Sequence, residues 1–281
     1  MSAIPQVLTI AGSDSGGGAG IQADIKTFQE LGVYSTSVIT AVTSQNTLGV
    51  NAIYPMGREA VQSQLQAIGE DFQIAALKTG MLFNAEIIEE TAYNINRFEW
   101  GIIVVDPVMI AKGGAHLLRQ EAVAALKQHL LPLATVVTPN IPEAEVLCGM
   151  AIDDAMTRRK AAEKIISYGA ESVVIKGGHG KDPYVTEDFY LHQSGECLLF
   201  RSARIDTTET HGTGCTFAAA LTAEMAKGAG IKEAIYVAKR FIQAALTDGL
   251  HIGAGHGPTN HAAYKAGVSK REGENSVEIY G

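Results

Sequence analysis

Six short, almost uninterrupted apolar runs, each followed by a stretch of helical period, constrain this chain more than any other feature. They are VLTIA (7–11), SVITAV (37–42), AALKT (75–79), IIVVD (102–106), TVVTP (135–139) and SVVIK (172–176). A strand wetted on one side alternates apolar with polar residues. A strand covered on both faces does not, and such strands are mostly parallel. The intervening segments carry stripes at helical spacing: Ile21, Ile25, Phe28 and Leu31; Val61, Leu65 and Ile68; Val123, Leu126 and Leu130; Ala162, Ile165 and Ile166. Gly32 and Gly169 stand where the helices before them should stop. Repeated strand–helix order requires right-handed crossovers. It therefore predicts an α/β fold: a three-layer α/β/α sandwich around a mostly parallel central sheet. Between 184 and 207 the pattern changes to FYLH and CLLF around SGE, a small antiparallel hairpin. Two more helices are expected at 215–227 and 231–248. No linker or repeat intervenes, so residues 1–268 should form a single domain, with 269–281 (SKREGENSVEIYG) as an exposed, solvated tail.

Charge narrows the partners. The 281 residues carry 22 Lys and Arg against 30 Asp and Glu, a formal charge of −8. That balance argues against nucleic acid or an anionic membrane as a partner, so any anionic ligand must meet local positive potential. The cysteines, Cys148, Cys197 and Cys215, form no CxxC, and so sparse and odd a set suits a reducing compartment. MSAIPQVLTIAGSD lacks a basic region followed by a long apolar run, and nothing approaches the ~18 apolar residues of a membrane span. A cytoplasmic protein is expected.

What stands after each strand points to chemistry. GSDSGGGAG (12–20) follows the first run, Ser44, Gln45 and Asn46 the second, and Thr79, Gly80 and Met81 the third. Then come Asp106-Pro107, Asn140-Ile141-Pro142-Glu143, and Lys176-Gly177-Gly178. Ligands of open parallel sheets bind at the carboxyl ends of the strands, so these residues should gather into one site. GSDSGGGAG is neither a Walker A loop nor a GxGxxG fingerprint. It is either a flexible turn or a close backbone approach to a small ligand, with Asp24 as a polar anchor one helical turn on. GTGC (212–215), running into an alanine-rich helix, fits an anion hole or a plain glycine-rich N-cap. Asp106 and Glu143 could serve Mg²⁺, which needs few carboxylates when phosphates bind it. They could equally be a turn residue before proline and a first-turn helix acid. Lys176 ends an apolar strand, where an unpaired charge is costly, so a phosphate contact is favoured. Cys215 could act as a nucleophile with His211 as its base. His251, His256 and His261 lack a metal-ligand spacing and are expected at the surface or in loops.

The motifs GSDSGGGAGIQADIKTF, SQNTLGV, LKTGML, DPVM, TPNIPEAE, VIKGGH, HGTGCTFAAAL and GHGPTNH occur in one order between Val7 and Ala266. In them the chain resembles the hydroxymethylpyrimidine/phosphomethylpyrimidine kinases of thiamin synthesis, within the ribokinase-like superfamily. The resemblance implies ATP- and Mg²⁺-dependent phosphorylation of 4-amino-5-hydroxymethyl-2-methylpyrimidine, and then of its monophosphate. It implies a pyrimidine pocket of Gly12, Gly18, Ala19, Asp24, Gln45, Met81 and Val108. Gln45 there would read the ring nitrogen and exocyclic amine, because an amide both donates and accepts. ATP would meet Asn140, Lys176, Asp188, Thr210, Gly212 and Gly214, and Asp106 and Glu143 would serve Mg²⁺. Catalysis would fall to Gly212, Thr213, Gly214, Cys215 and Lys176. A homodimer is implied, and KGGAHLLR (112–119) would close over the site.

One departure from the wider superfamily stands out. Most sugar and nucleoside kinases there carry GAGD, with aspartate as base, whereas this chain has Cys215. Three other readings remain open: a pyridoxine or pyridoxal kinase on the same scaffold, a pyrimidine-binding sensor without catalysis, and a cysteine hydrolase.

Overall fold

The structure is a computed structural model that describes residues 4–109, 120–180, 182–267 and 276–281. Its strands are β1 (Gln6–Asp14), β2 (Tyr34–Asn46), β3 (Gly49–Pro55), β4 (Ile74–Thr79), β5 (Ile103–Val105), β6 (Val136–Val137), β7 (Ser172–Ile175), β8 (Val185–His192), β9 (Cys197–Ala203) and β10 (Glu278–Tyr280). The helices are α1 (Gly20–Glu30), α2 (Arg58–Gly69), α3 (Ala85–Arg97), α4 (Gln120–Ala125), α5 (Ile141–Cys148), α6 (Ala155–Ile166), α7 (Thr213–Ala226) and α8 (Ile231–Thr247). Among the described residues the strands form one sheet in the order β10-β9-β8-β7-β6-β5-β4-β1-β2-β3. The stretch from β7 to β2 is parallel, while β3 at one edge and β8, β9 and β10 at the other are antiparallel.

The continuous apolar runs serve two cores at once, because successive side chains leave a strand on opposite faces. Ile103 and Val105 join a core with α2, α3, α4, α5 and α6, whereas Val104 between them joins a core with α7 and α8. On β1, Leu8 and Ile10 face the first core, and Val7 meets Phe28 of α1 with Ala219 and Ala223 of α7. The three-layer α/β/α sandwich with its antiparallel hairpin is therefore present.

Two expectations are corrected. Ser44, Gln45 and Asn46 lie within β2, which runs on to pair with β3 through Gln45 and Val50. The buried face of α3 sets Glu90, Thr91 and Asn94 among Ile87, Ile88 and Ile95; Glu90 is held by Arg58 at 2.7 Å and Asn94 at 2.8 Å. The chain end is not all solvated tail, since Glu278–Tyr280 adds a strand to β9 and Val277 is buried. KGGAHLLR (112–119) lies outside the described residues. Among the described residues no helix is long and apolar enough to cross a membrane.

Candidate functional site

After β1 the chain moves to β2 on one side and later to β4 on the other, so the loops beyond β1 and β4 part and leave a crevice. A cleft of about 450 Å³ opens there. Its wall holds Gly12, Ala19, Gln45, Met81 and Val108, then Asp106, Asn140, Glu143 and Lys176, and the whole run Thr210–Cys215. A second cleft of about 260 Å³ adjoins it, with Phe217, Ile242 and Leu246 as apolar wall and Asp188, Arg204, Lys239 and Gln243 as polar wall. Asn140, Lys176, His179, Thr210, Thr213 and Gly214 belong to both clefts.

The start of α7 forms that shared wall. Gly212 is its N-cap, at φ 85°, with no side-chain cap. The first-turn amides therefore lack a side-chain acceptor, and the helix dipole adds partial positive charge. Only glycine fits at 212: a Cβ there would lie 1.8 Å from the Gly18 carbonyl oxygen. Gly214 is less confined, yet a Cβ there would stand 3.2 Å from Lys176 Nζ and 3.8 Å from Asp106 Oδ2. Peptide, lysine and carboxylate thus meet at one point.

Lys176 does not rest on a phosphate alone, because its Nζ donates to Asp106 Oδ1 at 2.8 Å. Thr138 donates to the same oxygen at 3.1 Å. Asn140 and Glu143 form a capping box on α5: Asn140 Oδ1 accepts from the Glu143 amide at 2.9 Å, and Glu143 Oε2 accepts from the Asn140 amide at 2.9 Å. Burial pushes the Glu143 carboxyl up to about 7; nearby Asp106 adds to the rise, while Lys176 opposes it.

Asp24 does not line the cleft. It is fully buried on α1, where its carboxylate takes Lys78 Nζ at 2.9 Å on both oxygens and Thr9 Oγ1 at 2.6 Å. It is the counter-ion of Lys78, whose residue does line the cleft. Gly20, one turn before Asp24, lines the cleft together with Cys215. Burial pushes that thiol up to about 11, with Lys78 pulling down and Asp24 and Asp106 pushing further up. The neutral thiol is therefore the favoured form at this half-buried position on the cleft wall. Removing one member of a buried ion pair strands the other. Lys78→Met is thus expected to destabilise the fold by about 3–5 kcal/mol, and Lys78→Met with Asp24→Asn by clearly less. Denaturant titration of both variants checks this; equal losses would show that the two charges are not coupled.

Gly18 also stays off the cleft wall. Its amide donates to Asp14 Oδ2 at 3.0 Å, and a Cβ would strike His211 Cδ2 at 2.6 Å. Asp14 accepts as well from the amides of Gly16 at 2.8 Å and Ala19 at 2.9 Å. Burial alone would raise its pKa, but the His211 and backbone hydrogen bonds prevail and lower it. His211 Nε2 lies 2.8 Å from Asp14 Oδ2 and 3.1 Å from Gln45 Nε2, so its ring serves those two residues rather than the Cys215 thiol. That leaves a cysteine hydrolase without its base. Asp188 lines the second cleft with both oxygens engaged, by the Gly177 amide at 2.7 Å and Lys239 at 2.7 Å. His261 is not a surface residue: it is buried against Thr216 Oγ1 at 3.0 Å, and burial pushes it down to about 4.

Sequence reasoning missed Asp14, Thr43, Lys78, His179, Arg204, Lys239 and Gln243 as site residues. For Lys78 a signal existed: a charge inside the apolar run AALKT, the same oddity that marked Lys176.

The family model described as phosphomethylpyrimidine kinase matches residues 14–260. A hydroxymethylpyrimidine/phosphomethylpyrimidine kinase of Haemophilus influenzae is 57% identical over 94% of this chain and 99% of its own length. The thiamine biosynthesis bifunctional protein ThiED of Geobacter sulfurreducens is 48% identical over 91% of this chain and 52% of its own length. Among solved structures, the pyridoxal kinase of Staphylococcus aureus in complex with AMP-PCP and pyridoxal superposes with a TM-score of 0.89 at 36% identity, covering 99% of both chains.

Proposed function

Because the chain belongs to the phosphomethylpyrimidine kinase family, we propose that its larger cleft holds the acceptor, its smaller cleft the nucleotide, and their shared wall the phosphoryl group in transfer. The reaction is the phosphorylation of hydroxymethylpyrimidine and then of its monophosphate, in thiamin biosynthesis. ATP is the donor. The observation that carries the assignment of clefts is the common wall of Asn140, Lys176, Thr210, Thr213 and Gly214. Transfer needs donor and acceptor on two sides of one anion-binding peptide.

In this reading Gln45, Met81 and Val108 bind the ring, and the amides of residues 213–215 hold the transferring group. Lys176 offsets charge developing on it. The neutral Cys215 thiol orients the acceptor without repelling it. Among the described residues no cluster of three or more His, Cys, Asp or Glu side chains could hold a metal. Two carboxylates, Asp106 and Glu143, share the phosphate end of the cleft, a donor set that fits Mg²⁺ completed by phosphate oxygens. Bound there, Mg²⁺ would supply positive charge to the ATP phosphates.

Glu143 makes that proposal testable by pH. With its carboxyl at about 7 rather than 4.5, the folded, metal-free protein binds more protons than the unfolded chain. Stability should accordingly decline as pH rises through that interval, because the ionised form is the disfavoured one. Binding a cation to ionised Glu143 should release a proton near neutrality. Calorimetric titration of Mg²⁺ with ATP in two buffers of different ionisation heat measures the release, which should vanish in Glu143→Gln.

A pyridoxal kinase remains the rival because of the structural likeness. One coupled assay with the pyrimidine alcohol, its monophosphate and pyridoxal separates the two: diphosphate formation from the monophosphate is expected, and its absence would favour the rival. A homodimer in the cytoplasm belongs to the same proposal, its oligomeric state checked by ultracentrifugation.

A further inference from the structure

We propose that His211, fixed by Asp14, sets the orientation of the Gln45 amide and thereby decides which hydrogen-bond pattern on a pyrimidine edge this protein accepts. The inference rests on the pyrimidine reading of the larger cleft and deepens it.

Asp14 receives three backbone amides, from Gly16, Gly18 and Ala19, at 2.8–3.0 Å. Its carboxylate is therefore an acceptor only. His211 Nε2, at 2.8 Å from Asp14 Oδ2, must carry hydrogen; a lone pair there would face a negative oxygen. Both the neutral Nε2–H tautomer and the imidazolium satisfy this, so the consequence does not depend on the charge of the ring. Nor is the ring free to turn away. The His211 amide donates to Gly257 O at 3.0 Å, and the His211 carbonyl accepts from the Thr259 amide at 3.3 Å. Space for even one more carbon at Gly18 is lacking beside the ring.

The Gln45 amide spans the gap between this ring and Thr43. Its Nε2 lies 3.1 Å from His211 Nε2, and its Oε1 lies 3.2 Å from Thr43 Oγ1. The Thr43 hydroxyl has one hydrogen and a better acceptor in Ser13 O, at 2.9 Å. As placed, two donors face each other on one flank and two acceptors on the other. A half-turn of the amide about its last torsion relieves both: the carbonyl then shares, as a second acceptor beside Asp14 Oδ2, the one hydrogen on His211 Nε2, and the amide N–H meets a Thr43 lone pair. The flanking residues thus select the turned orientation, and a mismatched polar contact in this half-buried place is costly enough to favour it.

An amide held one way reads one pattern. The 4-aminopyrimidine edge offers an acceptor, the ring nitrogen, beside a donor, the exocyclic amine. The 4-oxo counterpart of the same alcohol offers a ring N–H beside a carbonyl, the reverse order. An amide free to turn would serve both.

The experiment compares kcat/KM for the 4-amino and 4-oxo forms of 5-hydroxymethyl-2-methylpyrimidine in the parent, His211→Phe, His211→Gln, Thr43→Val and Gln45→Ala. The parent should prefer the amino form by about a hundredfold or more, as sites built to hydrogen-bond a group reject its reversal. His211→Phe should shrink that preference at least about tenfold, the worth of one buried hydrogen bond. His211→Gln, which returns an N–H beside Asp14, should restore part of it. If His211→Phe fails to fold, Thr43→Val reads the same effect from the opposite flank. Equal loss on both substrates in these variants, with their ratio unchanged, would overturn the inference and leave His211 a structural residue. A parent preference that survives Gln45→Ala would likewise overturn the inference, whereas failure of the parent to turn over either pyrimidine would remove the pyrimidine reading beneath it.

Discussion

Replacing Gly212 by alanine is expected to lower kcat about a thousandfold on both substrates, the scale seen when preorganised oxyanion donors are lost. The cause is geometric. Gly212 sits at φ 85° as the cap of α7, with the Gly18 carbonyl 1.8 Å from where a Cβ would be. Neither backbone can keep its place if a methyl group enters, so the first turn of α7 must move away from Lys176 and Asp106. Positioning is most of what a protein contributes to phosphoryl transfer, and shifts of that size are enough to forfeit it. Gly212 reaches the pyrimidine wall at Gln45, Met81 and Val108 only indirectly, through His211, so KM for the acceptor should change less than kcat. Steady-state kinetics measures the split, with thermal unfolding alongside to confirm a folded variant. A Gly212→Ala enzyme within a few-fold of the parent's kcat would remove the amide cradle from the mechanism.

Cys215→Asp is expected to divide the two phosphorylations. Its parent thiol is pushed up to about 11, chiefly by burial, so the position is uncharged at neutral pH. When the acceptor is already a phosphate, a carboxylate in that place repels it by ~4 kcal/mol for unit charges 4 Å apart at an effective dielectric of 20. Lys78 nearby offsets part of this, which leaves a selective loss of about a hundredfold or more on the monophosphate. The alcohol suffers no such repulsion and gains a base, so its rate should fall much less. Cys215→Ser, neutral like the parent, should keep more activity on the monophosphate than on the alcohol. Equal rates of Cys215→Asp and parent on the monophosphate would end the electrostatic account of why a thiol stands here.

Much of this was legible in one dimension. Burial on both faces writes a continuous apolar run, so each parallel strand announced itself, and the polar residues after each run foretold the crevice. What hid had a physical reason. The edge strand GVNAIYP is half exposed and interrupted by polar and turn residues. Helix α3 sets Glu90, Thr91 and Asn94 among its buried apolar residues. The strand β10 spans only Glu278–Tyr280 in a charged tail and exists because β9 offers an unpaired edge. That Asp24 turns to Lys78 was hidden because a carboxylate one turn into a helix carries no mark of its partner, and Lys78 lies 54 residues away.

By itself, then, the order of residues determined the layered α/β architecture, the end of the sheet where the clefts open, and the glycines at their shared wall. These follow from periodicity and backbone conformation, which neighbouring residues settle among themselves. Only the tertiary structure decided which charges neutralise each other and which face the clefts: Asp24 with Lys78, Lys176 with Asp106, and Asp14 with His211 across 197 residues. Such pairings depend on where the crossovers set distant loops down. A buried charge takes whatever counter-ion the fold brings within reach, since leaving it alone is costlier than any local preference.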